Sequence, residues 1–145
     1  MKLLIYTYRT FPWTRVLKEL SSNVIILGKL TQDILALEDT IIKNNPSVII
    51  GIAKGNRTSV FETHTVNNFN GKKILKDGKD DYSLDYPTTG YKSIKLNKGF
   101  TTSFCNWGMY RVQNILETND LEIKHIFIHI VEKDFEQFKE FLQTI

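Results

Sequence analysis

The segment from Ser47 to Ala53, Ser-Val-Ile-Ile-Gly-Ile-Ala, is the feature that most constrains the fold. It is apolar and rich in β-branched residues, with no alternation of polar side chains. Such a run is typical of a strand that is buried on both faces of its sheet. Strands of that kind occur in α/β domains, where helices cover both faces. The segment therefore predicts a buried strand in an α/β sheet.

Strand-like and helix-like segments alternate on both sides of this run. We predict further strands at 2–8, 23–27, 59–66 and 123–131, and helices at 14–20, 31–44, 106–117 and 134–145. This alternation predicts one domain over residues 1–145, a three-layer α/β/α fold with a mostly parallel or mixed central sheet. The segment 67–98 has glycines, lysines and no apolar periodicity, so we predict a long surface loop or small hairpin there.

Composition is ordinary for a globular protein, with 145 residues, 41% hydrophobic residues and a net charge of +3. The single cysteine excludes an intrachain disulfide, and no stretch has the roughly 20 apolar residues of a membrane span. No signal peptide is apparent, and the positive charges form no concentrated patch. We therefore expect a cytoplasmic protein with no nucleic-acid or membrane partner, and a homo-oligomer stays open.

Cys105 is the only cysteine, and it lies where the chain is predicted to turn into a helix. The free N–H groups of a helix N-terminus favour a thiolate and can hold a developing oxyanion. The position therefore favours a nucleophile. The alternative is an inert buried thiol, which is the usual state of a cysteine.

His125 and His129 lie on the same face of the predicted strand 123–131. Four residues of strand separate them by roughly 13 Å, so only one can reach Cys105 and the two cannot share a metal ion. Glu62 could orient that histidine from the strand 59–66, or it could be a surface carboxylate. Arg57 could order the turn after Gly55 or form an ion pair.

Several segments resemble pyroglutamyl peptidase I, the pyrrolidone carboxyl peptidases. Phe104 to Tyr110 resembles the Cys-Asn-x-x-x-Tyr segment of that family. Phe127-Ile128-His129 resembles the Phe-Ile-His motif that carries its catalytic histidine, 24 residues after the cysteine. Gly55-Asn56-Arg57, Glu62 and Asn67 resemble its Gly-Arg, Glu and Asn run, and Met1 to Phe11 resembles its opening strand with two aromatic residues.

The resemblance implies a cysteine peptidase that removes an N-terminal pyroglutamyl residue from peptides without a metal or cofactor. It implies a Cys105 nucleophile, a His129 base and an orienting Glu62. The substrate would bind at Tyr8, Phe11 and Phe104, with the flat lactam ring between Tyr8 and Phe11. The oxyanion would lie at the Cys105 N–H, with Lys72 as the second donor.

The sequence also departs from the family. Phe100 to Ser103 replaces a run of small residues before the cysteine, and the chain is short between Asn67 and Gly99. These departures leave two alternatives open: a related cysteine hydrolase that acts on another small amide, and a binding module that has kept the fold without catalysis.

Overall fold

Eight strands and four helices form along residues 1–145, all of which the computed structural model describes. They are β1 (Leu3–Tyr8), α1 (Thr14–Leu20), β2 (Val24–Leu27), α2 (Leu30–Asn44), β3 (Val48–Lys54), β4 (Val60–Glu62), β5 (His64–Val66), β6 (Asp81–Ser83), β7 (Lys95–Asn97), α3 (Phe104–Thr118), β8 (Lys124–Ile130) and α4 (Phe135–Gln143). A short 3₁₀ turn at Glu132–Asp134 precedes α4. No helix is long and apolar enough to cross a membrane.

Six of the strands form one mixed sheet in the order β2-β1-β3-β8-β4-β7. The first four are parallel to one another, whereas β4 runs antiparallel to β8 and carries β7 parallel to itself. The buried run predicted at Ser47 to Ala53 is β3, between β1 and β8. The predicted mostly parallel or mixed sheet is therefore confirmed.

The two faces of this sheet bury separate apolar clusters. Successive strand residues point to opposite faces, so that Tyr6 and Tyr8 of β1 lie with α2 and α3, whereas Ile5 lies with α1 and α4. The first face packs against Leu37 of α2 and the second against Phe138 of α4. Helices on both faces confirm the three-layer α/β/α architecture.

The segment 59–66 differs from the single strand that its sequence predicts. It divides at Thr63 into β4, which joins the large sheet, and β5, which pairs with β6 in a separate two-stranded sheet. The Thr63 hydroxyl donates to the carbonyl of Asn97 in β7, which fixes the break. Glu62 is therefore the last residue of a strand rather than a residue in its middle.

The segment 67–98 is more ordered than a long loop. It contains β6, β7 and several tight turns, and it buries Tyr82 and Ile94. The side chain of Asn67 holds its first part, because its oxygen accepts the N–H groups of Ile74 and Leu75. A buried amide with these partners explains how a sequence without periodicity keeps a fixed conformation.

Candidate active site

Three parts of the chain meet at the carboxyl ends of the parallel strands. Tyr8 ends β1, His129 is the last but one residue of β8, and Cys105 is the second residue of α3. In open α/β sheets, ligands bind in the crevice at this edge. The edge therefore holds three of the residues that the sequence singles out, Tyr8, Cys105 and His129.

Glu62 and His129 form a direct hydrogen bond, with 2.8 Å between Glu62 Oε1 and His129 Nδ1. The antiparallel pairing of β4 with β8 places Glu62 opposite Phe127, two residues from His129 on the same face. The carboxyl group is buried, and its second oxygen accepts a hydrogen bond of 2.9 Å from Asn97 Nδ2. Because an ionised carboxylate only accepts, His129 carries its proton on Nδ1 and presents Nε2 as the basic nitrogen.

Cys105 is buried, and its surroundings are more apolar than the sequence suggests. It lies in the cluster that contains Tyr8, Met109 and Phe127. Burial raises the pKa of its thiol to about 12, with a hydrogen bond from Ser103 lowering it and the charge of Glu62 raising it. Desolvation by the apolar cluster therefore opposes the thiolate that the sequence predicts at the helix N-terminus.

The first turn of α3 leaves backbone N–H groups unpaired beside this thiol. The helix begins at Phe104, two residues earlier than predicted, and the first main-chain bond at this end runs from the Trp107 N–H to the Ser103 carbonyl. Neither Phe104 nor Cys105 donates its N–H within the chain. Such groups are well suited to an oxyanion.

Asn106 holds the start of α3 in place. Its side-chain oxygen accepts hydrogen bonds from the Thr65 hydroxyl and from the Val66 N–H. Its side-chain nitrogen donates to the carbonyls of Val66 and Asn68. The side chain is fully buried and all of its capacity is used. The sequence contains this residue in the Cys-Asn motif but does not reveal that it positions Cys105.

The aromatic residues at the site differ from the predicted pair. Tyr8 packs edge-to-face on Phe104 with ring centroids 5.1 Å apart, and both line a cavity of about 130 Å³ with Leu27 and Leu30. Phe11 instead lies in the cluster on the opposite face of the sheet, where it packs on Trp13. The predicted placement of Phe11 across from Tyr8 is therefore corrected, and Phe104 is the aromatic residue that lines the cavity with Tyr8.

Lys72 is likewise not placed to donate to an oxyanion. Its N–H donates to the carbonyl of Phe69 at 3.1 Å, and its carbonyl accepts the Phe69 N–H at 2.7 Å. This closed turn uses the backbone donor, and the side chain is exposed. The prediction of Lys72 as the second donor is corrected on that ground.

His125 lies in the core, and both of its ring nitrogens have hydrogen-bond partners. Its Nδ1 donates to Gln113 Oε1 and its Nε2 accepts from the Tyr6 hydroxyl, each at 3.0 Å. Full burial lowers its pKa to about 3, so the ring stays neutral. These contacts leave it no free nitrogen for catalysis.

A larger cavity of about 760 Å³ opens beside His129. Its walls include Glu62, Asn97 and Ser103 together with Lys54 and Arg57. The sequence does not reveal Asn97 and Ser103 as site residues, because only the folded chain brings them to the site. No group of three or more histidine, cysteine, aspartate or glutamate residues is close enough to hold a metal ion.

Comparisons with solved structures find the same architecture in one group of enzymes. Pyroglutamyl peptidase I from Bacillus amyloliquefaciens matches with a TM-score of 0.75 and 17% identity, over 89% of this chain and 81% of that chain. Pyrrolidone carboxyl peptidase from Thermococcus litoralis matches with a TM-score of 0.73 and 15% identity, over 89% and 76% of the two chains. A mutant pyrrolidone carboxyl peptidase from Pyrococcus furiosus matches with a TM-score of 0.73 and 18% identity, over 90% of this chain and 80% of that chain.

No protein-family model matches the sequence, and no curated protein matches it. The likeness is therefore one of fold: this chain is an α/β protein with the fold of the pyrrolidone carboxyl peptidases. The resemblance that the sequence motifs suggest is confirmed at this level.

Proposed function

We propose that this protein is a divergent cysteine exopeptidase of the pyroglutamyl peptidase I type, which removes N-terminal pyroglutamate from peptides. The observation that carries the proposal is the hydrogen bond from His129 to the buried carboxyl group of Glu62, at the edge of the sheet where Cys105 lies in the first turn of α3. An oriented base near a lone thiol is the arrangement of nucleophilic catalysis. The shared fold supports the same conclusion.

His129 is the general base in this mechanism. Because the pKa of the Cys105 thiol is about 12, proton transfer to His129 Nε2 accompanies the attack and does not precede it. Sγ forms a bond to the amide carbonyl carbon, and the carbonyl oxygen becomes an oxyanion. Glu62 keeps the imidazole oriented and stabilises the imidazolium that forms.

The oxyanion is held by the unpaired N–H groups at the start of α3, including that of Cys105. His129 then gives its proton to the leaving amine, the C–N bond breaks, and a thioester on Cys105 remains. Water attacks this thioester with His129 again taking a proton, which releases pyroglutamate and restores the thiol. Every proton that is transferred in the cycle passes through His129 Nε2.

The lactam ring binds in the cavity that Tyr8 and Phe104 line together, where the two rings supply apolar contacts. The partner of the protein is thus a peptide, and nucleic acid and membranes are not required. A free nucleophilic thiol persists in a reducing compartment, which favours the cytoplasm. Assembly into a homo-oligomer would leave this chemistry unchanged.

A related cysteine hydrolase of another small amide is the second candidate. The position of Phe11 favours it, because the ring pocket has Phe104 where the family resemblance implies Phe11. A pocket lined by Tyr8 and Phe104 differs in shape from one lined by Tyr8 and Phe11, and it can therefore accept a different acyl group.

Release of a chromogenic amine from its pyroglutamyl amide tests the proposal. We expect the wild-type protein to release the amine and Cys105→Ala to release none. The matched control is the prolyl amide of the same amine, which lacks the lactam carbonyl. Equal rates on the two amides would favour the second candidate.

A further inference from the structure

We propose that the cavity beside His129 binds a carboxylate on the residue that follows pyroglutamate, so that acidic peptides are preferred substrates. The inference rests on the proposed function, because it assigns the leaving-group side of the same site. Lys54 and Arg57 are the residues that provide the preference.

The chain has two separate cavities at the start of α3. Phe104 lines the small apolar cavity with Tyr8, whereas Ser103, its neighbour, lines the large one with His129. The two cavities share no lining residue. The start of α3 therefore contributes one residue to the wall of each cavity.

The chemistry assigns a different half of the substrate to each cavity. The acyl half must contact the apolar rings, and the amine half must reach the nitrogen that returns its proton. His129 provides that nitrogen and lines the large cavity. The residue after the scissile bond therefore enters this cavity.

The charges of the large cavity are unbalanced. Lys54 and Arg57 both line it, and the ion pairs of the chain involve neither of them. The only acidic group among its lining residues is Glu62, which already bonds to His129 and Asn97. Two free cations therefore face a space that holds no free anion, and such walls attract an anionic ligand.

The turn that carries Arg57 is fixed to the sheet at both ends. The Gly55 N–H donates to the Ile130 carbonyl at 2.7 Å, and the Ser59 hydroxyl donates to Asp134 at 2.6 Å. The Val131 N–H in turn donates to the Ser59 hydroxyl at 2.9 Å. The backbone at Arg57 is thus held beside β8, where its guanidinium can meet a carboxylate in bidentate geometry.

Kinetics on three matched substrates test the inference. They are pyroglutamyl-glutamate amide, pyroglutamyl-glutamine with a free carboxyl terminus, and pyroglutamyl-glutamine amide, so that a side-chain carboxylate, a terminal carboxylate and no carboxylate are compared. We expect kcat/KM to be about three- to tenfold higher with at least one of the carboxylates than with none. Added salt should reduce this ratio.

The variants Lys54→Gln and Arg57→Gln should each lower the ratio, and the double variant should bring it close to one. Lys18→Gln is the control, because it removes an exposed charge on α1, on the face of the sheet opposite α3. This variant should leave the ratio unchanged. Equal kcat/KM on all three substrates in the wild-type protein, or an unchanged ratio in the double variant, would overturn the inference.

Binding to Cys105→Ala by calorimetry separates this inference from the proposed function. If no pyroglutamyl substrate is cleaved, the proposed function is wrong. Tighter binding of the carboxylate peptides that is lost with Lys54→Gln and Arg57→Gln would still support the anion site. Equal binding of all three peptides would overturn it.

Discussion

At Cys105, burial and the helix N-terminus act in opposite directions on the thiol pKa. The N–H groups of α3 favour the thiolate, but the apolar cluster around Tyr8 and Phe127 removes the water that would solvate it. Burial raises the pKa of the thiol to about 12. The sequence shows the helix start but not the cluster, because Tyr8 and Phe127 come from distant strands. In the proposed mechanism the thiol therefore loses its proton only as it attacks the substrate.

Alkylation of Cys105 by iodoacetamide should be slow at pH 7 in the free protein. Because only the thiolate reacts, the rate should rise about tenfold per pH unit from pH 7 to 10 without levelling. A short cysteine peptide, whose thiol pKa is about 8.5, is the control and should level off in that range. The measurement is the mass of the labelled protein with time. A plateau below pH 8 would show a thiolate that the structure does not support.

Glu62→Gln tests whether the carboxylate orients His129. The amide keeps the shape and the contact with Asn97 but cannot stabilise an imidazolium, so kcat should fall by about 100-fold or more with little change in KM. Glu132→Gln, which changes an exposed carboxylate in the turn before α4, is the matched control. Measuring kcat, KM and Tm on one preparation separates the roles. A lower Tm with an unchanged kcat would show that Glu62 stabilises the fold through its contact with His129 and has no part in catalysis.

At the scale of the element, β8 carries two histidines on one face with opposite roles. His129 lies at the strand end beside Glu62, whereas His125 is fully buried and bonded on both nitrogens to Gln113 and Tyr6. The four-residue spacing indicates the shared face from the sequence alone. Their environments arise from neighbouring elements, so the spacing cannot assign the roles.

His129→Ala and His125→Ala should therefore fail in different ways. We expect His129→Ala to lower kcat by about 10²–10⁴-fold with a nearly unchanged Tm. His125→Ala should lose about 1–3 kcal/mol of unfolding free energy for each partner left unpaired, yet keep activity in the folded fraction. Urea unfolding followed beside the activity assay measures both. Loss of activity with His125→Ala in fully folded protein would reassign the base.

The sequence predicts some elements of this fold well and others poorly, for physical reasons. The apolar run of β3 and the helical periodicity of α2 are local patterns, and both elements form as predicted within two residues. The break between β4 and β5 is not local, because it depends on which strands pair on either side of Thr63. The position of Phe11 is missed for the same reason, since a turn decides which face of the sheet a side chain reaches.

At the scale of the whole molecule, the parallel sheet brings together residues that are far apart in the chain. The carboxyl ends of β1 and β8 and the start of α3 meet at one edge, where β4 runs antiparallel beside β8 and Asn106 holds α3 in place. The central claim is that this edge forms a covalent thioester on Cys105. It requires the nucleophile, the base and the ring pocket to act on one substrate.

Mass spectrometry of the acid-quenched reaction with a pyroglutamyl amide tests this claim most directly. We predict a mass increase of one pyroglutamyl group on the fragment that contains Cys105, formed within the first turnovers. The adduct should be absent from Cys105→Ala and should form far more slowly in His129→Ala. Cleavage of the amide by Cys105→Ala, or no cleavage and no adduct with folded wild-type protein, would contradict the account.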